Sequence, residues 1–302
     1  MFMINFKDIN LQDKDLINNI LQQNIYRTCN FCFVNLFAWN VKFKTEYSIE
    51  QETLFLRFRD INGLMYYMMP IGKIPIKDAM ERIQLDATAN KIPFRVKGVT
   101  KEMWEMIESE MPSQFQYIHD RNNDEYIYLS EKLTHLTGKK LQSKRNHINR
   151  FKKEYPDWSY FPIVTENDIA ECLTMLDEWE IRNPDKNTQS LNYEYMAIKK
   201  MLDSFDYLDL KGGAIRVNGK IVAFTIGEPL AEDTFVVHVE KAFSDINGAY
   251  TMINQQFIEC EASKFKYINR EEDMGIESLR KAKESYLPDI LLHAGILKPI
   301  TE

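Results

Sequence analysis

Apolar and polar residues alternate in short runs along the whole chain, which predicts many short helices and strands. Two segments predict tight β-hairpins, because an Asn-Gly pair tolerates the positive φ angles of a type I′ turn. They are Ile215–Phe224, with its turn at Asn218-Gly219, and Phe58–Tyr67, with its turn at Asn62-Gly63. A helical stretch precedes and follows each hairpin. The chain therefore indicates a duplicated α/β module. Coincidence is the alternative, because such hairpins are common.

The second half of the chain has a more definite order of elements. The pattern predicts two helices, a hairpin, and then strand, helix, strand, helix and strand. A polar loop over 184–192 separates the first two helices. A strand over 265–268 gives way to a polar loop over 269–275, and a short helix over 277–286 follows, stopped by Pro288.

No long linker or low-complexity tract marks a domain boundary. We therefore predict only a range for it, residues 135–160. We predict an N-terminal domain over 1–137 and a C-terminal domain over 138–302. The fold class is mixed α/β (α+β), with mixed β-sheets flanked by helices.

Composition and charge narrow the class of protein. Of the 302 residues, 44% are hydrophobic and 27% are charged, which is the composition of an ordinary globular protein. No stretch has the length of a membrane span and the polar start is not a signal peptide, so we expect a cytoplasmic protein. Four cysteines do not make a disulfide framework. A net charge of −7 means that any binding of nucleic acid or anionic lipid needs a local basic patch.

Residues 139–153 form such a patch, with seven basic side chains and no acid. Apolar residues recur there near helical spacing, which predicts an amphipathic helix over 139–155 with a cationic face. A phosphate-rich partner suits this face: RNA, anionic lipid headgroups or a nucleotide cofactor. The alternative is a solvated helix that joins two halves of the protein. The basic residues are Lys139, Lys140, Lys144, Arg145, Arg150, Lys152 and Lys153.

The run Asn269-Arg270-Glu271-Glu272-Asp273-Met274-Gly275 is the strongest candidate site. Three acids, an arginine and an asparagine stand where a strand is predicted to give way to a helix, and loops at strand ends often carry the chemistry of α/β proteins. A solvated connector is the alternative.

The element order of the second half is that of the GNAT acyltransferase fold, in which the sheet splays and the acyl donor enters the gap. Phosphates of the donor would meet backbone N–H groups at the start of the central helix, which is predicted at Asn247-Gly248-Ala249. The longer glycine-rich phosphate loop typical of coenzyme A binding is absent from the sequence.

The hairpin, the helix opened by Gly248, and the runs 268–275 and 279–288 resemble an uncharacterised bacterial family. That family is similar to the C-terminal catalytic domain of phosphatidylglycerol lysyltransferase, and the resemblance extends over most of the chain. It implies two GNAT-like domains in tandem. Fem-type relatives transfer an amino acid from aminoacyl-tRNA to an amine or hydroxyl, so we expect an aminoacyl- or acyltransferase with such a donor and no further cofactor. The first domain is a candidate for a degenerate copy, because its counterpart of 269–275, taken as 120–125, lacks the motif.

Aminoacyl transfer assigns roles to individual residues. A cation near the developing oxyanion is expected at Arg270, Arg280 or Lys283, and a base or amino-group ligand at Glu240 or Asp273. Residues expected to bind the donor are Lys144, Arg145, Arg150, Lys152, Asn247, Gly248, Ala249 and Asn269.

Two rival functions stay open. One is acyl-coenzyme A-dependent N-acetylation, and the other is a non-catalytic module that binds RNA or anionic lipid. Expected partners are tRNA and a lipid or peptide acceptor, although the lysyltransferase's large membrane portion is lacking, which puts a lipid in doubt.

We expect no metal site, because the five histidines show no HxH or HExxH spacing and Cys29-Asn30-Phe31-Cys32 is a lone CxxC. His238, between valines, is expected to be a packed or hydrogen-bonded histidine.

Overall fold

The computed structural model describes residues 4–22, 26–183 and 189–300, and in these ranges strands alternate with helices throughout. The strands are β1 (Lys7–Asp8), β2 (Glu46–Glu50), β3 (Thr53–Arg59), β4 (Met65–Tyr67), β5 (Ile71–Gly72), β6 (Val96–Thr100), β7 (Phe115–His119), β8 (Glu125–Leu129), β9 (Ser159–Pro162), β10 (Lys211–Val217), β11 (Lys220–Ala231), β12 (Thr234–Ala242), β13 (Tyr267–Glu272), β14 (Ile290–Leu292) and β15 (Ala294–Pro299). The α-helices are α1 (Lys14–Leu21), α2 (Phe33–Ala38), α3 (Asn40–Phe43), α4 (Ile76–Ala89), α5 (Lys101–Glu110), α6 (Ser130–His135), α7 (Gln142–Glu154), α8 (Glu166–Arg182), α9 (Gln189–Asp203), α10 (Ala249–Phe257) and α11 (Glu277–Glu284).

The contacts divide the chain into two compact units. Unit 1 consists of the described parts of 1–125, 272–276 and 291–302, and unit 2 of the described parts of 126–271 and 277–290. The last forty residues therefore contribute to both units in turn. The division into domains at residue 137 stays a prediction.

Unit 1 is built on a sheet with the strand order β1-β2-β3-β4-β6-β15-β7, and β5 pairs with β3. The hairpin predicted at Asn62-Gly63 is confirmed, since β3 and β4 pair antiparallel with Arg57 opposite Tyr67. β4 and β6 pair parallel, which makes the sheet mixed. Its core is aromatic, with the rings of Tyr47, Phe55 and Tyr67 fully buried.

The second sheet has the order β14-β8-β13-β12-β11-β10-β9. The hairpin predicted at Asn218-Gly219 is confirmed between β10 and β11, and its two turn residues have φ angles of 50° and 77°. The side chains of Phe224, Phe235 and Phe257 are fully buried. The predicted order of helix, helix, hairpin, strand, helix, strand, helix and strand is observed from α8 to β14.

The predicted basic helix is confirmed as a 3-10 turn at Lys139–Leu141 that continues into α7. Its apolar face buries Ile148 and Phe151. Burial of this face stabilises the helix, because most helical stability in proteins comes from packing and the basic residues of this helix repel one another.

Both units repeat a strand–helix–parallel strand arrangement. In unit 1 it is β4, α4 and β6, and in unit 2 it is β12, α10 and β13. In this arrangement β6 corresponds to β13. The counterpart of residues 269–275 in unit 1 therefore starts in β6, and the assignment of 120–125 as that counterpart is wrong.

Two predicted loops are also corrected. In the loop predicted over 184–192, residues 184–188 lie outside the described residues, and α9 already begins at Gln189. The loop predicted over 269–275 begins later than expected, because β13 extends to Glu272. Polar residues fill the end of this strand because their side chains have buried partners rather than solvent. No helix of the described chain is both long and apolar enough to cross a bilayer.

Candidate functional site

The two central strands of unit 2 pair over only a short distance. β12 and β13 are parallel and in register from Thr234–Tyr267 to Val236–Asn269. Both strands continue past the last registered pair, β12 to Ala242 and β13 to Glu272. Beyond that point their side chains bridge the gap instead of their backbones. This splayed part of the sheet holds the charged residues of unit 2.

One bridge is the ion pair of Arg270 on β13 with Glu240 on β12. The Arg270 Nη2 to Glu240 Oε1 distance is 2.9 Å, and the two side chains are only 11% and 14% exposed. Asn254 of α10 donates from Nδ2 to the other carboxylate oxygen, Oε2, at 2.8 Å. Burial alone would lower the pKa of Arg270, but the Glu240 carboxylate, together with Tyr128 and Tyr286, outweighs it and raises that pKa, so the guanidinium stays charged.

Two polar atoms of this cluster are buried without a hydrogen-bond partner among the described residues. They are Arg270 Nη1 and Asn254 Oδ1. Leaving such a group unpaired costs about 1–3 kcal/mol, and most buried polar groups in folded proteins are paired. One is a charged donor and the other an acceptor, so together they suit a ligand with both a negative or carbonyl oxygen and an N–H group.

Lys144 of α7 lies beside this cluster. Its Nζ is 3.9 Å from the centre of the Tyr286 ring, and the Arg270 guanidinium is 4.9 Å from the same ring. Burial, and then the nearby Arg270 charge, lower the pKa of Lys144 to about 8. Burial also raises the pKa of Tyr286 to about 12. Lys144 therefore differs from Arg150, Lys152 and Lys153 of the same helix, which are exposed.

The other basic residues of this helix contact different groups. Arg145 donates to the carbonyls of Leu136 and Gly138 and thereby satisfies the chain at the end of α6. Arg150 pairs with Glu154 at 2.6 Å, and Lys152 lies 5.5 Å from the Trp158 ring centre. A surface pocket of about 240 Å³ lies at this helix. Its lining residues are His135, Gln142, Arg145, Ile148, Asn149, Lys152 and Gln255.

The start of α10 is closed on one side. Gly248 has a φ of 85°, and a Cβ built there would lie 2.6 Å from the carbonyl oxygen of His147. Glycine is needed at this position because α7 packs against it. Ala249 is fully buried and Asn247 half-buried. A phosphate at this helix end would have to approach from a side other than that of the missing Cβ.

The remaining predicted site residues are divided between the units. Lys283 of α11 donates from Nζ to the Arg270 carbonyl at 2.6 Å, and Arg280 lies half-buried on the same helix. Asn269 is fully buried and accepts from the Glu271 backbone N–H at 2.7 Å. Asp273 belongs to unit 1.

Asp273 is a buried turn residue of unit 1. Its Oδ1 accepts from the Gly275 N–H at 2.8 Å, and its Oδ2 lies 3.3 Å from Arg121 Nη1. The side chain is fully buried. This setting suits a structural carboxylate, and the structure brings Glu240, Arg270, Lys283 and Lys144 together without it.

A second bridge of the splayed sheet is His238, whose side chain is fully buried between two carboxylates. Its Nδ1 lies 2.8 Å from Glu271 Oε1 and its Nε2 lies 3.1 Å from Glu228 Oε1. Burial alone would lower the pKa of His238, but hydrogen bonds to Glu228 and Glu271 outweigh it and raise the pKa to about 9. His238 is thus a positively charged link within the sheet.

Sequence reasoning missed a cluster in unit 1. His119, Asp124 and His293 bring their ligating atoms within 4.8 Å of one another, an arrangement that can hold a metal ion. No short-range spacing signals it, because His293 is distant in sequence from the other two.

The mixed sheets, flanking helices and splayed parallel strands define a GNAT-like fold that occurs twice in the chain. A tandem GNAT protein from the clavulanic acid biosynthesis pathway matches 99% of this chain and 99% of its own, with a TM-score of 0.51. At 6% identity this likeness concerns the fold alone. It confirms the predicted fold class.

Within that class, the chain belongs to the family described as phosphatidylglycerol lysyltransferase, C-terminal, which matches residues 24–293. The structure of L-PGS from Bacillus licheniformis matches 95% of this chain and 91% of its own, with 13% identity and a TM-score of 0.65. The resemblance stated from the sequence is therefore confirmed.

Two uncharacterised relatives are more similar in sequence. A conserved protein of unknown function from Bacteroides thetaiotaomicron is 41% identical, matches 99% of this chain and 100% of its own, and superposes with a TM-score of 0.92. An uncharacterised protein of Mycoplasmoides gallisepticum is 26% identical over 191 residues, which are 61% of this chain. The match spans only 59% of that relative's length.

Proposed function

We propose that this protein is an aminoacyltransferase that moves an amino acid from aminoacyl-tRNA to an amine or hydroxyl acceptor, with its reaction centre in the splayed part of the unit 2 sheet. Membership of the family supports a transferase in the coarse sense. The observation that carries the finer proposal is the unpartnered, buried Nη1 of Arg270 beside Glu240.

The chemistry requires a fixed positive donor. The acceptor attacks the ester carbonyl of the aminoacyl-tRNA, the carbonyl oxygen becomes an oxyanion, and the ribose hydroxyl of the tRNA leaves. Arg270 Nη1 is oriented by the Glu240 ion pair and donates to the developing oxyanion. Its charge persists through the reaction because arginine does not lose its proton in this range.

The neighbouring groups complete the reaction. Asn254 Oδ1 and the Glu240 carboxylate bind the amino group of the transferred residue. Lys144, whose pKa is lowered to about 8, takes a proton from the acceptor and passes it to the departing hydroxyl. Both oxygens of Glu240 already accept hydrogen bonds, which favours Lys144 over Glu240 as the base.

The pocket beside α7 is the proposed binding site of the aminoacyl-tRNA donor. Arg145, Lys152 and His135 line it together with amide side chains, a combination that suits nucleic-acid phosphates. Lysine and phosphatidylglycerol, the two substrates in the family's description, are the first pair to test. A peptide amine is the second acceptor. The use of aminoacyl-tRNA goes with a cytoplasmic location.

The test starts with retention of a labelled, mixed aminoacyl-tRNA pool at low and moderate salt, followed by transfer to vesicles containing phosphatidylglycerol. We expect retention that weakens steeply with salt. Lys152→Glu should weaken retention, whereas Lys220→Glu, an exposed change in the β10–β11 hairpin, should not.

Turnover is then compared between Arg270→Lys and Arg182→Lys, a surface arginine paired with Glu178 and Asp245. Loss of one oxyanion donor lowers turnover by about 100- to 1000-fold, so only the Arg270 variant should show a loss of this size. Equal turnover of both variants would exclude the proposed centre. Retention of coenzyme A thioesters instead of tRNA would identify an acyl-coenzyme A-dependent enzyme.

A further inference from the structure

Strand pairing in unit 1 brings two distant histidines to one carboxylate. β7 ends at His119, and Gly295 of β15 lies opposite it in the antiparallel register. His293 directly precedes β15. The 3-10 turn at Arg121–Asn123 returns the chain, so that Asp124 lies against both rings. The Ala294 N–H also donates to Asp124 Oδ1 at 3.2 Å, which fixes the carboxylate at the edge of the sheet.

The three side chains are arranged around one point. His119 Nε2 lies 2.8 Å from Asp124 Oδ1, and His293 Nδ1 lies 2.9 Å from Asp124 Oδ2. The two imidazole rings meet edge to face, with centroids 4.9 Å apart. Ligands about 2.1 Å from one ion are about 3 Å from each other, so small movements of the rings bring all three donors to bonding distance.

We propose that His119, Asp124 and His293 bind a divalent transition-metal ion of the Zn²⁺ class. Two imidazole nitrogens and a carboxylate are a donor set that such ions prefer. Asp124 is fully buried, whereas the imidazoles are 43% and 50% exposed. The rings therefore give the ion a path of entry, and water completes its coordination.

Binding of the ion needs no separate proton acceptor, because each imidazole keeps one proton. In the metal-free protein each imidazole donates an N–H to the carboxylate. When the ion binds, each ring carries its proton on the other nitrogen, which the partial exposure of the rings allows to face water.

One arginine and a second buried carboxylate lie near the proposed ion. Arg121 Nε lies 3.8 Å from Asp124 Oδ2, and a cation there opposes metal binding. The same guanidinium is also held by Asp273 at 3.3 Å, so two buried carboxylates face one arginine. The ion would join β7, the turn before β8 and the start of β15, and thereby stabilise unit 1.

The test uses the full chain without an affinity tag, freed of metal by chelator and dialysis. Zn²⁺ is titrated against a chromophoric chelator, and Co²⁺ is added separately to record its visible absorption. We expect one equivalent bound at micromolar or lower concentration, a Co²⁺ spectrum typical of nitrogen and oxygen ligands, and a rise in the unfolding temperature with Zn²⁺.

The variants His119→Gln and His293→Gln should each lose that equivalent and the shift in unfolding temperature. His147→Gln removes an exposed histidine of α7 and should bind as the parent chain does. Equal uptake by the parent chain and a variant that carries both His119→Gln and His293→Gln would overturn the proposal, as would uptake abolished by thiol alkylation. Uptake only at millimolar concentration would reduce the cluster to a hydrogen-bonded triad.

Discussion

Units 1 and 2 each contain a cluster of imidazole and carboxylate groups, but in opposite proportions. In unit 2, one imidazole, His238, lies between two carboxylates and is fully buried. In unit 1, one carboxylate, Asp124, lies between two half-exposed imidazoles. Two carboxylates around one ring require a proton on that ring, which holds the cluster as a fixed ionic link. Two rings around one carboxylate leave nitrogen atoms that can exchange protons for a metal ion. Which group is in excess, and how much water reaches it, thus separates a structural link from a binding site.

The largest effect is expected from removing the central imidazole of unit 2. His238→Leu leaves Glu228 and Glu271 facing each other in a buried setting. Removing one partner of a buried ion pair costs about 3–5 kcal/mol, so urea unfolding at pH 7 should show a loss of this size. Adding Glu228→Gln and Glu271→Gln should recover most of it. A loss below about 1 kcal/mol would mean that water reaches the cluster.

A somewhat smaller effect is expected from pH. The pKa of His238 is raised from 6.5 to about 9 on folding, so its contribution to stability is full below pH 6.5 and is lost as the pH rises through 9. The constant of 1.36 kcal/mol per unit makes this loss on the order of 3 kcal/mol. Urea unfolding of the parent chain and of His238→Gln should be compared from pH 6 to 10. A parallel dependence in the two proteins would contradict the ionic link.

The smallest effect is expected for the pKa of Lys144, which unit 2 lowers, whereas it raises the pKa of His238. Trace labelling of amines with acetic anhydride across pH should give Lys144 a midpoint near 8, and Arg270→Gln should raise that midpoint because a neighbouring positive charge is removed. Lys153, exposed on the same helix, is the matched control. A midpoint near 10.5 for Lys144 in the parent chain would show that it is solvated.

The sequence predicts the elements of this protein better than the partners of its charges. The Asn218-Gly219 hairpin and the basic helix were predictable because local turn chemistry and helical spacing determine them. The end of β13 was not, because Arg270 and Glu271 look solvated until Glu240 and His238 are brought across from β12.

The inward position of Lys144 was hidden for a related reason. Arg150, Lys152 and Lys153 of the same helix are exposed, and the contact of Lys144 with the ring of Tyr286 comes from a distant part of the chain. The cluster at Asp124 likewise depends on β15 pairing with β7. Long-range pairings of this kind leave no periodic signal in a single sequence.

The position of β15 bears on how the protein is made. Residues 294–299 lie between β6 and β7, in register with both, in a sheet whose other strands all precede residue 120. During synthesis, the sheet of unit 1 therefore waits for almost the whole of unit 2 to leave the ribosome before β6 and β7 gain their shared neighbour. Until then their inner edges are unpaired, and strand edges are sites of aggregation. The chain that is translated first is thus the part that finishes folding last.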